Sequence, residues 1–363
     1  DTPTDTDTDC NSPATANSIT YSLKPGVGDV AKFSIGSTTG SVTLTESPDF
    51  ELKGSYSFTV VATDAANNTS ERVVTLAVNN VNEVPVNTVP GAQTVAEDTS
   101  LSITGLSVND VDGNLATTRL TVSNGSLSVS LAAGASISAG ANNSSTLTLS
   151  GTQSQINAAL ATVTYQGNTN FNGSDTLTML STDSGSTPLS DSDTVAISVT
   201  AVNDAPVLAG VSTLAYTEND AAVAIHTAIT VADVDHSSLS AATVSITGGF
   251  AAGEDVLSFV GDSASMGNIA GSWDSANGVM SLSSAGGTAT LVQWQTALRA
   301  VQYSNISDKP STAERTVSYV VSDGSSTSNT ITASINITAV NDQPATESLT
   351  FTGLEDNGGV NTA

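Results

Sequence analysis

Three short stretches of this sequence carry the same chemistry. Val81-Asn82-Glu83-Val84-Pro85, Val202-Asn203-Asp204-Ala205-Pro206 and Val340-Asn341-Asp342-Gln343-Pro344 each set an Asn and its neighbour shortly before a proline, at spacings of 121 and 138 residues. Beyond each proline, by 12, 12 and 11 residues, stands a glutamate: Glu97 (with Asp98), Glu218 (with Asn219) and Glu355. Before each linker Asn, by 18, 20 and 18 residues, an acid sits in a turn: Asp64, Asp183 and Asp323. A fourth element repeats twice, Asn109-Asp110-Val111-Asp112-Gly113 and Ala232-Asp233-Val234-Asp235-His236. The donors shared by these elements are carboxylate and amide oxygens, the set that suits a hard divalent cation.

Composition sharpens the question. There are 35 acidic against 8 basic residues, a formal net charge of −27, which repels nucleic acid and anionic membranes. Such a chain could be disordered, could wear a salt-adapted acidic coat, or could use its acids as cation ligands. Charged residues make up only 12% of it and apolar alternation is persistent, which argues against disorder. Asp and Asn before Gly are ordinary turn formers, and a linker proline can simply end a strand. It is their joint recurrence at fixed offsets that favours ligands over a coat or isolated turns.

The elements that must position these residues read as strands. Each linker is preceded by a segment with apolar residues largely alternating (ERVVTLAVNN, SDTVAISVTA, SNTITASINITA), and Val, Thr, Ser and Ile dominate. A fifth element, Ala159–Tyr165, matches Ala297–Tyr303. It reads as a short helix feeding a strand, with Leu160, Leu298, Tyr165 and Tyr303 in the cores. The length of 363 residues suits three β-sandwiches. The expected organisation is an acidic linker at 1–10, domains at 11–84, 85–205 and 206–343, and the start of a fourth repeat at 344–363. One cysteine, Cys10, permits no disulfide within the chain. No apolar run is long enough to span a membrane, and an Asp at position 1 reads as a portion of a longer secreted protein.

These residues resemble the cadherin repeat family, and nearly the whole chain takes part. Domain 1 is the nearest to it, with Phe33-Ser34-Ile35 before Thr39-Gly40-Ser41-Val42, Asp49-Phe50-Glu51 where the family has its D-x-E, and Ala62-Thr63-Asp64 where it has A-x-D. Domains 2 and 3 resemble the looser repeats of giant bacterial surface proteins, whose linkers read VNDAP. At the D-x-E position domain 2 has Asn170–Asp175 and domain 3 only Asp308. The resemblance implies tandem Greek-key β-sandwiches in a linear array, with Ca2+ held at the junctions. One domain's end would supply the Asp64-type turn and the D-x-E segment. The linker would give its Asn and acid, and the next domain's start its Glu97-type residue and its Asp110/Asp112 pair.

Catalytic constellations are absent: the two histidines, His226 and His236, have no second cysteine or positioned acid–base pair to work with. Trp273 and Trp294 read as core residues in preference to a sugar platform. The expected role is a calcium-stiffened extracellular spacer or adhesion rod on a bacterial surface, its partners being neighbouring repeats of the same chain. The alternatives are direct binding of glycans or of like chains, and an accessory region of a secreted hydrolase.

Overall fold

The computed structural model describes residues 18–342. Cys10, the acidic run before it, Glu355 and the fourth repeat lie outside the described residues. The chain divides into two compact units, residues 1–201 and 202–363. Each is a β-sandwich structure with only short helices.

The first unit opens with β1 (Thr20–Leu23), β2 (Phe33–Ile35), β3 (Val42–Leu44), β4 (Ser55–Thr63) and β5 (Thr69–Ala77). They form a sheet of order β1-β4-β5 and a β2-β3 hairpin. Its small core is centred on Phe33 and Phe58, whose ring centroids lie 4.3 Å apart. Among the described residues no strand lines the outer side of β5, and Val73 on it is 69% exposed.

The rest of that unit contains β6 (Val86–Thr88), β7 (Gln93–Ala96), β8 (Ser100–Ser102), β9 (Ser107–Asn109), β10 (Leu115–Thr121) and β11 (Gly125–Ser128). It continues with β12 (Ser136–Gly140), β13 (Thr146–Ser150), α1 (Gln153–Leu160), β14 (Thr164–Gly167), β15 (Gly173–Asp183) and β16 (Ser190–Thr200). A six-stranded sheet, β12-β13-β10-β15-β16-β7, faces a three-stranded one, β11-β14-β8.

The second unit has the same plan. Its elements are β17 (Val207–Ala209), β18 (Ser212–Thr217), β19 (Val223–Ala224), β20 (Thr230–Ala232), β21 (Ser238–Leu239), β22 (Ala241–Gly248) and β23 (Asp255–Ser258). There follow α2 (Ser263–Met266), β24 (Ile269–Asp274), β25 (Val279–Ser284), β26 (Ala289–Thr290), α3 (Leu291–Arg299), β27 (Gln302–Asn305), β28 (Arg315–Ser322) and β29 (Ile331–Thr338). The sheets run β18-β29-β28-β22-β25-β24 and β19-β27-β23.

The alternation expected of strands is strict where it matters. On β15, Asp175, Leu177, Met179, Ser181 and Asp183 point inward; on β28, Arg315, Val317, Tyr319 and Val321 do. The helix-then-strand element is present twice. Thr152 and Gln155 form a capping box on α1, and Thr290 and Gln293 one on α3. Leu160, Tyr165, Leu298 and Tyr303 are all fully buried. Trp294 is buried and donates its Nε1–H to the carbonyl of Leu239 at 2.9 Å. Trp273 packs against the same core beside Phe250.

Candidate functional site: acids at the entry ends

We call the entry end of a domain the one where its preceding linker meets the sandwich. At the entry end of domain 2, Asn82 donates to Asp183 Oδ2 at 2.8 Å, and Asn114 donates to Asn82 Oδ1 at 2.7 Å. The backbone N–H of Glu83 donates to Asp112 Oδ2 at 2.7 Å, and the Asn80 amide to Asp112 Oδ1 at 3.0 Å. Asp110 is 3% exposed; its Oδ1 accepts the N–H of Asp112. Asp110 Oδ2, Glu83 Oε2 and Asn114 Oδ1 are buried without a hydrogen-bond partner. Glu51, Glu83 and Asp112 bring one oxygen each to within 4.8 Å of one another.

The electrostatics are those of crowded anions. Burial pushes the Glu83 carboxyl above its usual range, and the negative Glu51, Asp112 and Asp49 push it further. Burial likewise raises Asp110, with Asp112 and Asp183 adding to it. For Asp183, burial is outweighed by hydrogen bonds from Asn82, Leu189 and Gly185, so its carboxyl lies below its usual range. A divalent cation would relieve the first two, and the orphaned oxygens have the donor chemistry calcium requires.

The second unit repeats the arrangement. Asn203 donates to Asp323 Oδ2 at 3.0 Å, and the N–H of Asp204 donates to Asp235 Oδ2 at 2.6 Å. Asp233 Oδ1 accepts from the backbone of Asp235 at 2.9 Å and of His236 at 2.8 Å. Asp233, His236 and Asp323 converge to within 4.8 Å. Asp323 is held below its usual range: Ser326, Asn203 and Ser325 donate to it and together outweigh its burial.

Two expected placements differ. The Asp64-type turns were expected at the linker behind their own domain. Instead Asp183 and Asp323 meet Asn82 and Asn203, the linker in front. The reason is β16 and β29, which carry the chain from those turns to the opposite end of the sandwich. The glutamates were expected at their domain's entry end, with Glu218 bridging domains 2 and 3. Instead Glu97 lies at the exit end, its N–H donating to Thr200 at the end of β16. Glu218 likewise donates to Thr338, and its Oε2 accepts from Val340 at 2.8 Å. The cause is that β7 and β18 run parallel to the last strands, β16 and β29. Glu218, 4% exposed, keeps Oε1 buried and unpartnered.

The remaining expected residues are less committed. Asp49 and Asp64 cap their own turns, Asp49 accepting from Leu52 and Asp64 from Ala66 and Asn68. Asp98 and Asn219 are exposed turn residues with positive φ, 57° and 66°. Asp308, Asn341 and Asp342 are exposed. In domain 2, Asn172 of the D-x-E neighbourhood donates to Glu97 Oε2 at 3.4 Å. Asn80 and Asn114 escaped the sequence reading because neither recurs in the third domain; their only signal was position, just before a linker and just after Asp-x-Asp.

Residues 103–189 match the family model described as the Protein GAMETE EXPRESSED 2 domain. A 142-residue stretch is 34% identical to Halomucin of Haloquadratum walsbyi (strain DSM 16790 / HBSQ001), covering 39% of this chain and 2% of that one. Among solved structures, the extracellular cadherin domains 1–5 of Protocadherin Gamma B2 align at TM-score 0.44 and 19% identity, over 90% of this chain and 54% of that one. Mouse Cadherin-23 EC22-24 aligns at TM-score 0.38 and 20% identity, over 89% and 87%. The chain thus spans about half of that protocadherin piece and a small part of Halomucin.

Proposed function

We propose that these repeats are calcium-binding spacer domains of an extracellular, cell-surface adhesion protein. One observation carries the reading: Asp110 Oδ2 and Asp233 Oδ2, at equivalent positions of two domains, are both buried without a hydrogen-bond partner. An unpaired buried carboxylate oxygen is costly, and seeing it twice argues for a cation ligand. Glu51, Asn82, Glu83, Asp110, Asp112 and Asp183 would hold calcium in the first unit. Asn203, Asp204, Asp233, Asp235 and Asp323 would do so in the second. Glu97 at one exit end, and Glu218 with Asn341 and Asp342 at the other, would be further oxygen donors of their own units. Bound calcium neutralises the gathered acids and ties each linker to the sandwich behind it, which stiffens the joint.

Small-angle scattering in calcium and in chelator tests this. The expected result is a profile that shows greater flexibility on chelation while the domains stay folded; an unchanged profile overturns the reading. A second reading, docking of like chains, finds support in the open side of β5, with Val73 and Leu76 exposed on it. Sedimentation of the wild type against Val73→Lys separates it, since a self-associating surface would lose its dimer.

A further inference from the structure

The two entry ends differ immediately after their Asp-x-Asp. Where domain 2 has Gly113 immediately after its Asp-x-Asp, domain 3 has His236. We infer that His236, Asp233 and Asp323 form a site for a divalent transition metal of the zinc class, which the domain 2 counterpart cannot hold. The inference rests on the reading of these acids as cation ligands and adds a cation class that domain 3 takes besides calcium.

The three side chains converge. His236 Nδ1 stands 3.6 Å from Asp233 Oδ1, too far for a hydrogen bond. One ligand atom each of Asp233, His236 and Asp323 lies within 4.8 Å of the other two. The Asp233 side chain is fully buried; two backbone N–H groups occupy its Oδ1, while its Oδ2 has no partner. His236 Nδ1 is also solvent-inaccessible and without a partner, although 40% of the ring's surface is open to entry from solvent. Asp323 is fixed by the N–H groups of Ser325 and Ser326 and by the Asn203 amide. One imidazole nitrogen and two carboxylates make a borderline donor set. Imidazole favours zinc and its neighbours, whereas an all-oxygen set favours calcium. The other histidine, His226, is fully buried in the core and serves as an internal control.

The test uses the full chain carrying Cys10→Ser, so that no thiol competes, with Zn2+ and Co2+ as probes. Imidazole nitrogen shifts are followed by NMR, and affinities come from Co2+ absorption with Zn2+ displacement. One equivalent of zinc should move the His236 nitrogens and leave His226 in place. His236→Gly, which restores the residue domain 2 has, and His236→Asn should each weaken zinc at least tenfold and leave calcium affinity unchanged. Zinc that bypasses His236, or binds both variants as tightly as the wild type, overturns the proposal even if calcium binds normally. Zinc bound through His236 in a chain that takes up no calcium would uphold it and sink the calcium reading instead.

Discussion

Domains 2 and 3 are two solutions on one frame. Their entry ends share three hydrogen bonds: Asn82 to Asp183 against Asn203 to Asp323, Glu83 to Asp112 against Asp204 to Asp235, Asp112 to Asp110 against Asp235 to Asp233. Their interiors do not agree. Asp175 in domain 2 accepts from the N–H groups of Ser123, Asn124 and Thr176 and from the Tyr165 hydroxyl. The matching first position of β28 is Arg315, fully buried and paired with Asp255 at 3.0 Å; Tyr303 and Asn305 donate to the same carboxylate. A lone acid satisfied by neutral donors has become a buried ion pair. The core tolerates either chemistry provided every lone pair is met, whereas the entry-end pattern is kept as it is.

The largest expected effect breaks that core symmetry. Arg315→Met leaves Asp255 charged and short of a partner, and should cost domain 3 about 3–5 kcal/mol. Asp175→Asn faces donors with an amide and should cost domain 2 about 1–3 kcal/mol. Both tryptophans lie in domain 3, so their fluorescence in urea reports that domain by itself, while methyl NMR of Met179 reports domain 2. Equal losses would mean that the ion pair is no more demanding than the lone acid.

At the entry ends the outcome should be symmetric. Asp110→Asn and Asp233→Asn should each weaken calcium about tenfold, or about 1.4 kcal/mol, at their own site and spare the other. Glu218→Gln should spare both entry ends. Calorimetry that found Glu218→Gln weakening the Asp233 site would restore the placement that the structure reverses.

A smaller effect separates His226 from Thr104, which follows the matching isoleucine in domain 2 and is exposed. Burial holds the His226 imidazole below its usual range, so the unfolded chain takes a proton that the fold refuses. Stability should therefore fall as pH drops through the usual imidazole range, about 6.5. Domain 3 melts of wild type and His226→Phe check this; the same slope in both would assign it elsewhere. The least effect is expected from the surface pair Lys24–Glu71, at 2.7 Å and nearly half exposed. Lys24→Met should change stability by less than about 0.5 kcal/mol, and a larger loss in melting would show domain 1 leaning on its surface charges.

Much of this was legible from residue types. The capped helix before Tyr165 and Tyr303 is encoded by Thr-x-x-Gln and by apolar spacing, both local. The identity of the acids that face a linker was legible too, since they recur at fixed offsets. Which linker they face was not. The eleven residues of β16 carry the chain about 36 Å, so Asp183 and Thr200, near in sequence, lie at opposite ends of the sandwich. Asn82, 101 residues away from Asp183, is its neighbour instead. Offsets along a chain are blind to strand direction; only the parallel pairing of first and last strands resolves it.

That pairing also determines how a domain bears tension. β7 lies parallel to β16 over four residue pairs, and β18 to β29 over six, from Ser212–Ala333 to Thr217–Thr338. A pull applied where the chain enters and leaves a domain drags these neighbours in opposite directions along their length. The ladder is then loaded in shear, all of its hydrogen bonds at once, instead of being unzipped one bond after another. With six pairs sharing the force against four, domain 3 should yield at a higher pulling force than domain 2 in single-molecule stretching.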